Sequence, residues 1–456
     1  MKSKAPAPPI DFIDTATRWI GPRGRRILQT GAWSIIAKLA AAANLFLTVP
    51  FVLHALGPAQ FGAWATLLSL SAFTGFLDFG LANGTMNLIA AAHGRGATDE
   101  IGSILREGSR TLLWIALWLA VAVLIAIPLV PWYLLLGMPK TMGGDSRAAA
   151  AAVFFTVVLS VPLNLSTRVQ LGLGQGNRAY RWQALGQSLT LGTVILLAKT
   201  QASLVVLTAA AVATPLLASA ANTFMLWRDP AVAASSTQSS RNTERTAHIR
   251  REGLSFFVLQ LAAALAFSAD LPLISALYGS AEAGNYAIVQ RLFSTVTLGL
   301  SLVWAPLWPI YRHALAAGDY QWVMRTFRRS LLFAGTFSAT AAITLAVGFN
   351  TAIHLWVHRP VLVSSFLLVG FALWCFVDAI GTATGTLLNA ASILRYQLIL
   401  APIFACVSLT LKTFSLQHNE IDTLPWITLS CYVFLVLIPL AARAKSIRMK
   451  IMTAKY

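Results

Sequence analysis

Charge is what this chain has least of. Asp, Glu, Lys and Arg together make up 11% of its 456 residues, against 57% apolar. A soluble fold of that length needs far more polar surface, so a soluble enzyme or binding protein is excluded. Cysteine is rare too. Cys375, Cys406 and Cys431 sit in apolar runs as small fillers and offer neither a disulfide framework nor a metal cluster. Catalytic signatures are also missing: no Gly-rich phosphate loop ending in Gly-Lys-Ser/Thr, no HExxH, no paired-Cys motif and no nucleophile elbow. The segment 172–177 (GLGQGN) follows an apolar helix, not a strand, and reads as a turn, not a dinucleotide fingerprint. No catalytic residue, metal site or cofactor is expected.

What fills the chain is apolar sequence in long runs. Twelve are long enough to cross a bilayer as helices: roughly 30–54, 60–91, 108–130, 148–173, 180–198, 203–226, 253–278, 285–311, 329–348, 361–388, 396–412 and 425–441. The sequence therefore predicts an all-α polytopic membrane protein.

The chain also repeats itself. Residues 31 to about 110 lie over 253 to about 332 at a constant offset, with Gly31 on Gly253, Pro50 on Pro272, Gly57 on Gly279, Gly62 on Gly284 and Gly96 on Gly318. Coincident Gly and Pro carry weight because each fixes a backbone choice. A later register, eight residues shorter, sets Arg181-Trp182-Gln183 over Arg395-Tyr396-Gln397. The expected architecture is two pseudo-symmetric six-helix lobes around a central cavity, related by a two-fold axis along the membrane normal. The divisions are a tail (1–29), an N-lobe (30–226), a Ser/Thr-rich linker (227–252), a C-lobe (253–441) and a basic tail (442–456). A short interfacial helix is expected over 10–20, with Trp19 at headgroup level.

With the N-terminus inside, the inner connections and both tails hold 26 of the 34 Lys and Arg. The outer connections hold five, Lys140, Arg147, Lys199, Arg359 and Lys412, and three more, Lys38, Arg168 and Arg291, lie within helices. This asymmetry puts both termini in the cytoplasm. The net charge of +18 then orients the chain and meets anionic lipid, with no need of nucleic acid. No small-residue cleavage site follows a short apolar core, so the first helix is read as uncleaved.

Chemistry must come from ionisable groups inside the bilayer: Lys38, Asp78, Arg168, Asp270, Arg291 and Asp378. A charge there costs several kcal/mol and normally faces a wet cavity or a partner. Asp270 and Arg291, at similar depth on helices 7 and 8, either pair or line one side of a cavity. Lys38 and Arg168 either snorkel inward or face the lumen. Asn83 and Asn87 continue the polar strip of Asp78 as cavity lining or interhelical hydrogen bonds. Pro50 and Pro272, each about two turns before a Gly hairpin, are candidate gating bends.

The segments LTVPFVLHALGPAQFGAWA (47–65), LDFGLANG (77–84), IAAAHGRGATDEI (89–101), ADLPLISALYGSAEAGNYA (269–287) and GTLLNAASILRYQ (385–397) resemble the polysaccharide transporters of the multidrug/oligosaccharidyl-lipid/polysaccharide exporter superfamily. Those are the flippases of lipid-linked O-antigen (lipopolysaccharide) and exopolysaccharide units. The resemblance implies passage of an undecaprenyl-pyrophosphate-linked oligosaccharide across the bacterial inner membrane by alternating access. It further implies a cationic lumen and work beside a polysaccharide polymerase and a chain-length regulator. Lys38, Arg291 and Arg168 would then meet the pyrophosphate. With no nucleotidase, Asp78, Asp270 and Asp378 are candidate H+ or Na+ coupling sites. Two rivals are a drug/cation antiporter of the same superfamily and a membrane polymerase or glycosyltransferase. The second lacks an outer loop rich enough in acids, His or Arg.

Overall fold

The computed structural model describes residues 22–71, 77–229, 232, 257–316, 318–391, 393 and 395–453. The expected interfacial helix at 10–20 and the centre of the linker lie outside these residues. Among those described, ten helices are long and apolar enough to cross a membrane. The first, Gln29–Ser71, is folded at Gly57 into two. The Arg-bearing Gly176–Lys199 completes twelve.

Helices 1 and 2 share the element Pro22–Ser71, and helix 2 resumes as Leu81–Gly94. Helix 3 is Thr98–Leu129; helix 4 is Gly143–Leu163 with Leu165–Gly172; helix 5 is Gly176–Lys199; helix 6 is Leu204–Trp227. In the second lobe, helix 7 runs over 257–267 and resumes as Asp270–Tyr278, and helix 8 is Ser280–Ala316. Helix 9 is Tyr320–Val347, helix 10 Ser365–Ala390 and helix 11 Arg395–Gln417. Helix 12 spans Ile421–Ala442 and contains a π-helical turn, Val433–Leu437.

Several helices start earlier than the apolar runs suggest, because a run measures hydrocarbon depth and a cap measures where the helix begins. Helix 9 is capped by Asp319, whose carboxylate accepts the Trp322 N–H at 3.0 Å, well before the apolar run opens near residue 329. Between helices 9 and 10 a short helix, Phe349–Val357, stacks Trp356 on Phe46 of helix 1 with centroids 4.2 Å apart. The Trp356 indole N–H also donates to the Phe46 carbonyl at 2.9 Å.

Two aligned glycine pairs adopt the same left-handed backbone: Gly57 and Gly279 at φ 69° and 90°, Gly96 and Gly318 at 74° and 77°. Each ends one helix and lets the next begin, a turn that an L side chain strains. Gly62 and Gly284 lie against each other where helices 2 and 8 cross. A Cβ on Gly62 would collide with the Ser280 carbonyl, and one on Gly284 would come within 3.1 Å of the Pro58 oxygen. This end, marked by the Gly57 and Gly279 hairpins, is the hairpin end.

Here one buried cluster joins the lobes, with Val52, Phe61 and Trp64 against Ile274, Ile288 and Phe293. Away from it the lobes have separate cores, one around Ile89, Leu105, Val169 and Leu226, another around Tyr311, Val323, Leu388 and Ile447. The result is two lobes of six helices that share one core at the hairpin end and keep separate cores away from it, where Lys38 with Ser301 and Phe79 with Phe257 still touch across the seam.

Candidate functional site

Two of the interrupted helices, 2 and 7, carry a carboxylate at the break. Helix 2 is interrupted at 77–80, where Phe79 and Gly80 take φ of 49° and 71°. Asp78 turns its carboxylate back onto the Gly80 N–H at 2.9 Å, and its own carbonyl accepts the Leu81 N–H at 2.9 Å. The acid thereby satisfies donors that the break exposes. Helix 7 is interrupted at Ser268 and Ala269, and Asp270 opens the second segment. Pro272 sits just beyond and has no N–H to return to the preceding turn. Pro50 lies in unbroken helix, so the interruption beside Pro272 has no counterpart at Pro50.

Asp270 is 5% exposed and fully occupied. Lys412 of helix 11, 0% exposed, donates to one carboxylate oxygen at 2.7 Å and to the Ala266 carbonyl at 2.8 Å. The Tyr286 hydroxyl of helix 8 donates to the other oxygen at 3.0 Å. The Ala266 carbonyl is available because the break removes its helical partner, so the interruption supplies Lys412 with its second acceptor.

Two expectations are corrected here. Lys412 does not belong to an outer connection, because helix 11 runs to Gln417 and ends at left-handed Asn419. Nor does Asp270 pair with Arg291.

Arg291 points the other way, across the seam. Its guanidinium lies 4.9 Å from the Trp64 ring and 5.9 Å from Phe61, both on helix 2, with no acidic partner among the described residues. Lys38 also crosses the seam, donating to the Ser301 carbonyl of helix 8 at 2.5 Å. These two cations lie between the lobes, whereas Asp270 lies within one.

Asp378 of helix 10 accepts the Thr297 hydroxyl at 3.1 Å. It shares a cavity of ≈ 200 Å³ with Asp270, Lys412, Tyr286 and Gln290, walled by Phe293, Phe371 and Trp374. Two acids and one ammonium thus occupy one pocket inside the C-lobe. Arg168 is half-buried and close enough for its charge to reach Asp78. Asn83 is buried in the N-lobe core, while Asn87 is exposed. The structure therefore gathers Asp270 and Asp378 together, places Lys38 and Arg291 along the seam, and leaves Asp78 and Arg168 apart in the N-lobe.

Lys412, Tyr286 and Thr297 do not stand out as site residues in the sequence. A signal for Lys412 exists in the C-cap: the apolar period continues through Phe414 and Leu416, and the polar stop is His418-Asn419-Glu420.

The family described as "Polysaccharide biosynthesis protein" matches residues 27–310, more than half of the chain. The chain belongs to that family. No protein of curated function matches it. Among solved structures, it is similar to an inward-facing multidrug resistance MATE family transporter of the MOP superfamily, at 14% identity and TM-score 0.66. That match covers 92% of this chain and 98% of the other. A MOP superfamily transporter from Pyrococcus furiosus, described as having a binding pocket of reverse polarity, matches at 14% identity and TM-score 0.70, over 95% and 98%. The MATE multidrug transporter DinF-BH matches at 15% identity and TM-score 0.65, over 96% and 98%. At such identities the likeness establishes the fold. This member of the polysaccharide biosynthesis family is thus a multi-pass membrane protein with the two-lobed fold of those transporters.

Proposed function

We propose that the protein carries a polyprenyl-pyrophosphate-linked oligosaccharide from the cytoplasmic to the outer leaflet of a bacterial inner membrane. The observation that carries this reading is Arg291, placed between the lobes over Trp64 without a carboxylate among the described residues. Stacking occupies the guanidinium face and leaves its in-plane N–H donors for a phosphate. Lys38 adds a second cation along the same seam, held by a single carbonyl. The oligosaccharide would travel in the cleft while the polyprenyl tail stays in lipid. In this reading the cleft opens first to the cytoplasm, the side that the basic connections mark.

Directionality would come from an ion gradient or from consumption of the product outside. Asp378 is the first candidate for H+ or Na+, because it faces the C-lobe cavity with hydroxyl partners while Asp270 is already neutralised by Lys412. Asp78 is the N-lobe candidate. A polymerase and a chain-length regulator would take the product, in lipopolysaccharide or exopolysaccharide assembly.

The drug/cation reading draws support from the aromatic walls of the same cavity, which suit an organic cation. The seam stands against it, because Arg291 and Lys38 place two positive charges between the lobes, where they repel a third.

The test is deletion of the gene followed by measurement of polyprenyl-linked units on each face of the membrane. Accumulation on the cytoplasmic face with loss of surface glycan, restored by the wild-type chain and not by Arg291→Ala, is the expected result. Accumulation of single units on the outer face would point to a polymerase. Unchanged glycan pools with new sensitivity to cationic dyes would favour the drug exporter.

A further inference from the structure

The repeated Arg-aromatic-Gln motif at the start of helix 5 has no part in the cleft chemistry above. In the structure it opens a cavity of ≈ 540 Å³ between the ends of helices 4, 5 and 6, away from the hairpin end. Arg178, Arg181 and Trp182 contribute one wall, Met225 and Asp229 the other. The floor is uncharged, with Gln170 and Asn222 exchanging hydrogen bonds at 2.6 and 3.2 Å.

The charges do not cancel. Arg178 donates to Asp229 at 2.6 Å, and that pair accounts for the one carboxylate that lines the cavity among the described residues. Arg181 has no acidic partner among the described residues. Its guanidinium lies 4.9 Å from the Trp33 ring of helix 1. Two guanidinium groups against one carboxylate leave one positive charge, with the edge donors of Arg181 open toward the cavity.

Beyond the charged mouth, helix 5 turns apolar on the same exposed face. Leu185, Leu189 and Leu196 follow Arg181 at helical spacing and are 44%, 48% and 65% exposed. Across from them Met225 and Leu217 of helix 6 are 59% and 68% exposed. A cation at the membrane–water boundary leading into an apolar furrow matches a phosphate headgroup followed by acyl chain.

We propose that this groove binds an anionic phospholipid of the surrounding bilayer, its phosphate on Arg181 and one chain along Leu185, Leu189 and Leu196. A zwitterionic headgroup fits less well, because it brings its own ammonium to a site already positive. The site lies outside the cleft and is independent of what the cleft transports.

The test uses the purified full chain in detergent, with lipid adducts counted by native mass spectrometry and thermal unfolding recorded alongside. Phosphatidylglycerol is compared with phosphatidylcholine at equal concentration. The wild type should retain phosphatidylglycerol preferentially and unfold at higher temperature with it. Arg181→Gln should weaken that retention about tenfold, the loss expected for a charge-assisted hydrogen bond. Leu189→Lys should weaken it as well. Arg147→Gln, the same charge change at the hairpin end, should leave it unaltered. Equal retention of the two lipids, or retention undiminished in Arg181→Gln, overturns the proposal. Protection by inorganic phosphate equal to that by lipid makes this a free-anion site and overturns it too. One-for-one displacement by polyprenyl phosphate assigns the groove to cargo entry and overturns the occupant named here.

Discussion

The two lobes share a backbone plan and differ in charge. At the alignment offset of the repeat, Asp270 corresponds to Thr48 and Tyr286 to Trp64; in the shorter register Lys412 corresponds to Ala198. In the C-lobe these positions form a buried ammonium–carboxylate–phenol cluster. In the N-lobe Thr48 merely returns its hydroxyl to the Asn44 carbonyl at 2.6 Å, the Trp64 indole N–H has no partner among the described residues, and Ala198 is 2% exposed. At these matched positions one lobe thus carries a buried ionic cluster and the other carries none. A buried ion pair adds little net stability over well-packed apolar residues. Its presence in only one lobe therefore argues for a job there.

The sharpest way to break the comparison is to orphan one charge. Lys412→Ala leaves Asp270 buried without a counter-ion and should cost about 3–5 kcal/mol. Ala198→Gly, at the N-lobe counterpart, should cost about 1 kcal/mol, the helix-propensity term for glycine. Thermal unfolding in one detergent compares the two, and the double variant Lys412→Met with Asp270→Leu should recover most of the first loss. If Lys412→Ala unfolds no earlier than Ala198→Gly, the pair is not the buried contact described here.

The seam offers a second contrast. Gly62→Ala drives a Cβ into the Ser280 carbonyl, whereas Gly284→Ala meets the Pro58 oxygen at 3.1 Å, where a shift of a fraction of an ångström suffices. The first should cost about 1–3 kcal/mol and the second less, and transport should follow the same order. A disulfide or cross-link scan across helices 2 and 8 would report whether the seam has opened.

How much of this is legible in the sequence differs between backbone and side chains. The hairpins are readable because Gly57 and Gly279 are needed for a left-handed turn, and such needs are local. Spans are readable because hydrocarbon thickness sets a length. The pairing of Asp270 is not, because it depends on which face of helix 11 turns inward. Treating a charge as the mark of the membrane boundary ends helix 11 at Lys412. A Lys with a buried acid partner breaks that rule. The helix breaks at Asp78 and Asp270 are likewise hidden, for neither Phe79 nor Ser268 announces an interruption in an apolar run.

Two smaller effects sharpen the contrast. Tyr286→Phe removes one hydrogen bond to Asp270 and should cost about 1–2 kcal/mol. Trp64→Phe loses no hydrogen bond, since its indole N–H makes none to the described residues, and should instead weaken the hold on Arg291 by about 0.5–1 kcal/mol. Unfolding temperature should separate the first and, on the proposed function, glycan export the second. Finally, Thr48→Asp combined with Ala198→Lys transplants the C-lobe pair. The double variant should be more stable than Thr48→Asp alone, as a double-mutant cycle would record.

The Gly62–Gly284 crossing lies only a few residues from the helix tops, while helix 8 runs on from Gly284 to Ala316, most of its 37 residues. At 1.5 Å per residue that leaves a shaft of about 48 Å. On the proposed alternating-access reading the lobes would pivot near one end as long levers: a tilt of about 10° at the crossing would sweep the far tips through about 8 Å. Sub-ångström adjustment between two glycines is thereby geared up to the width of a sugar ring.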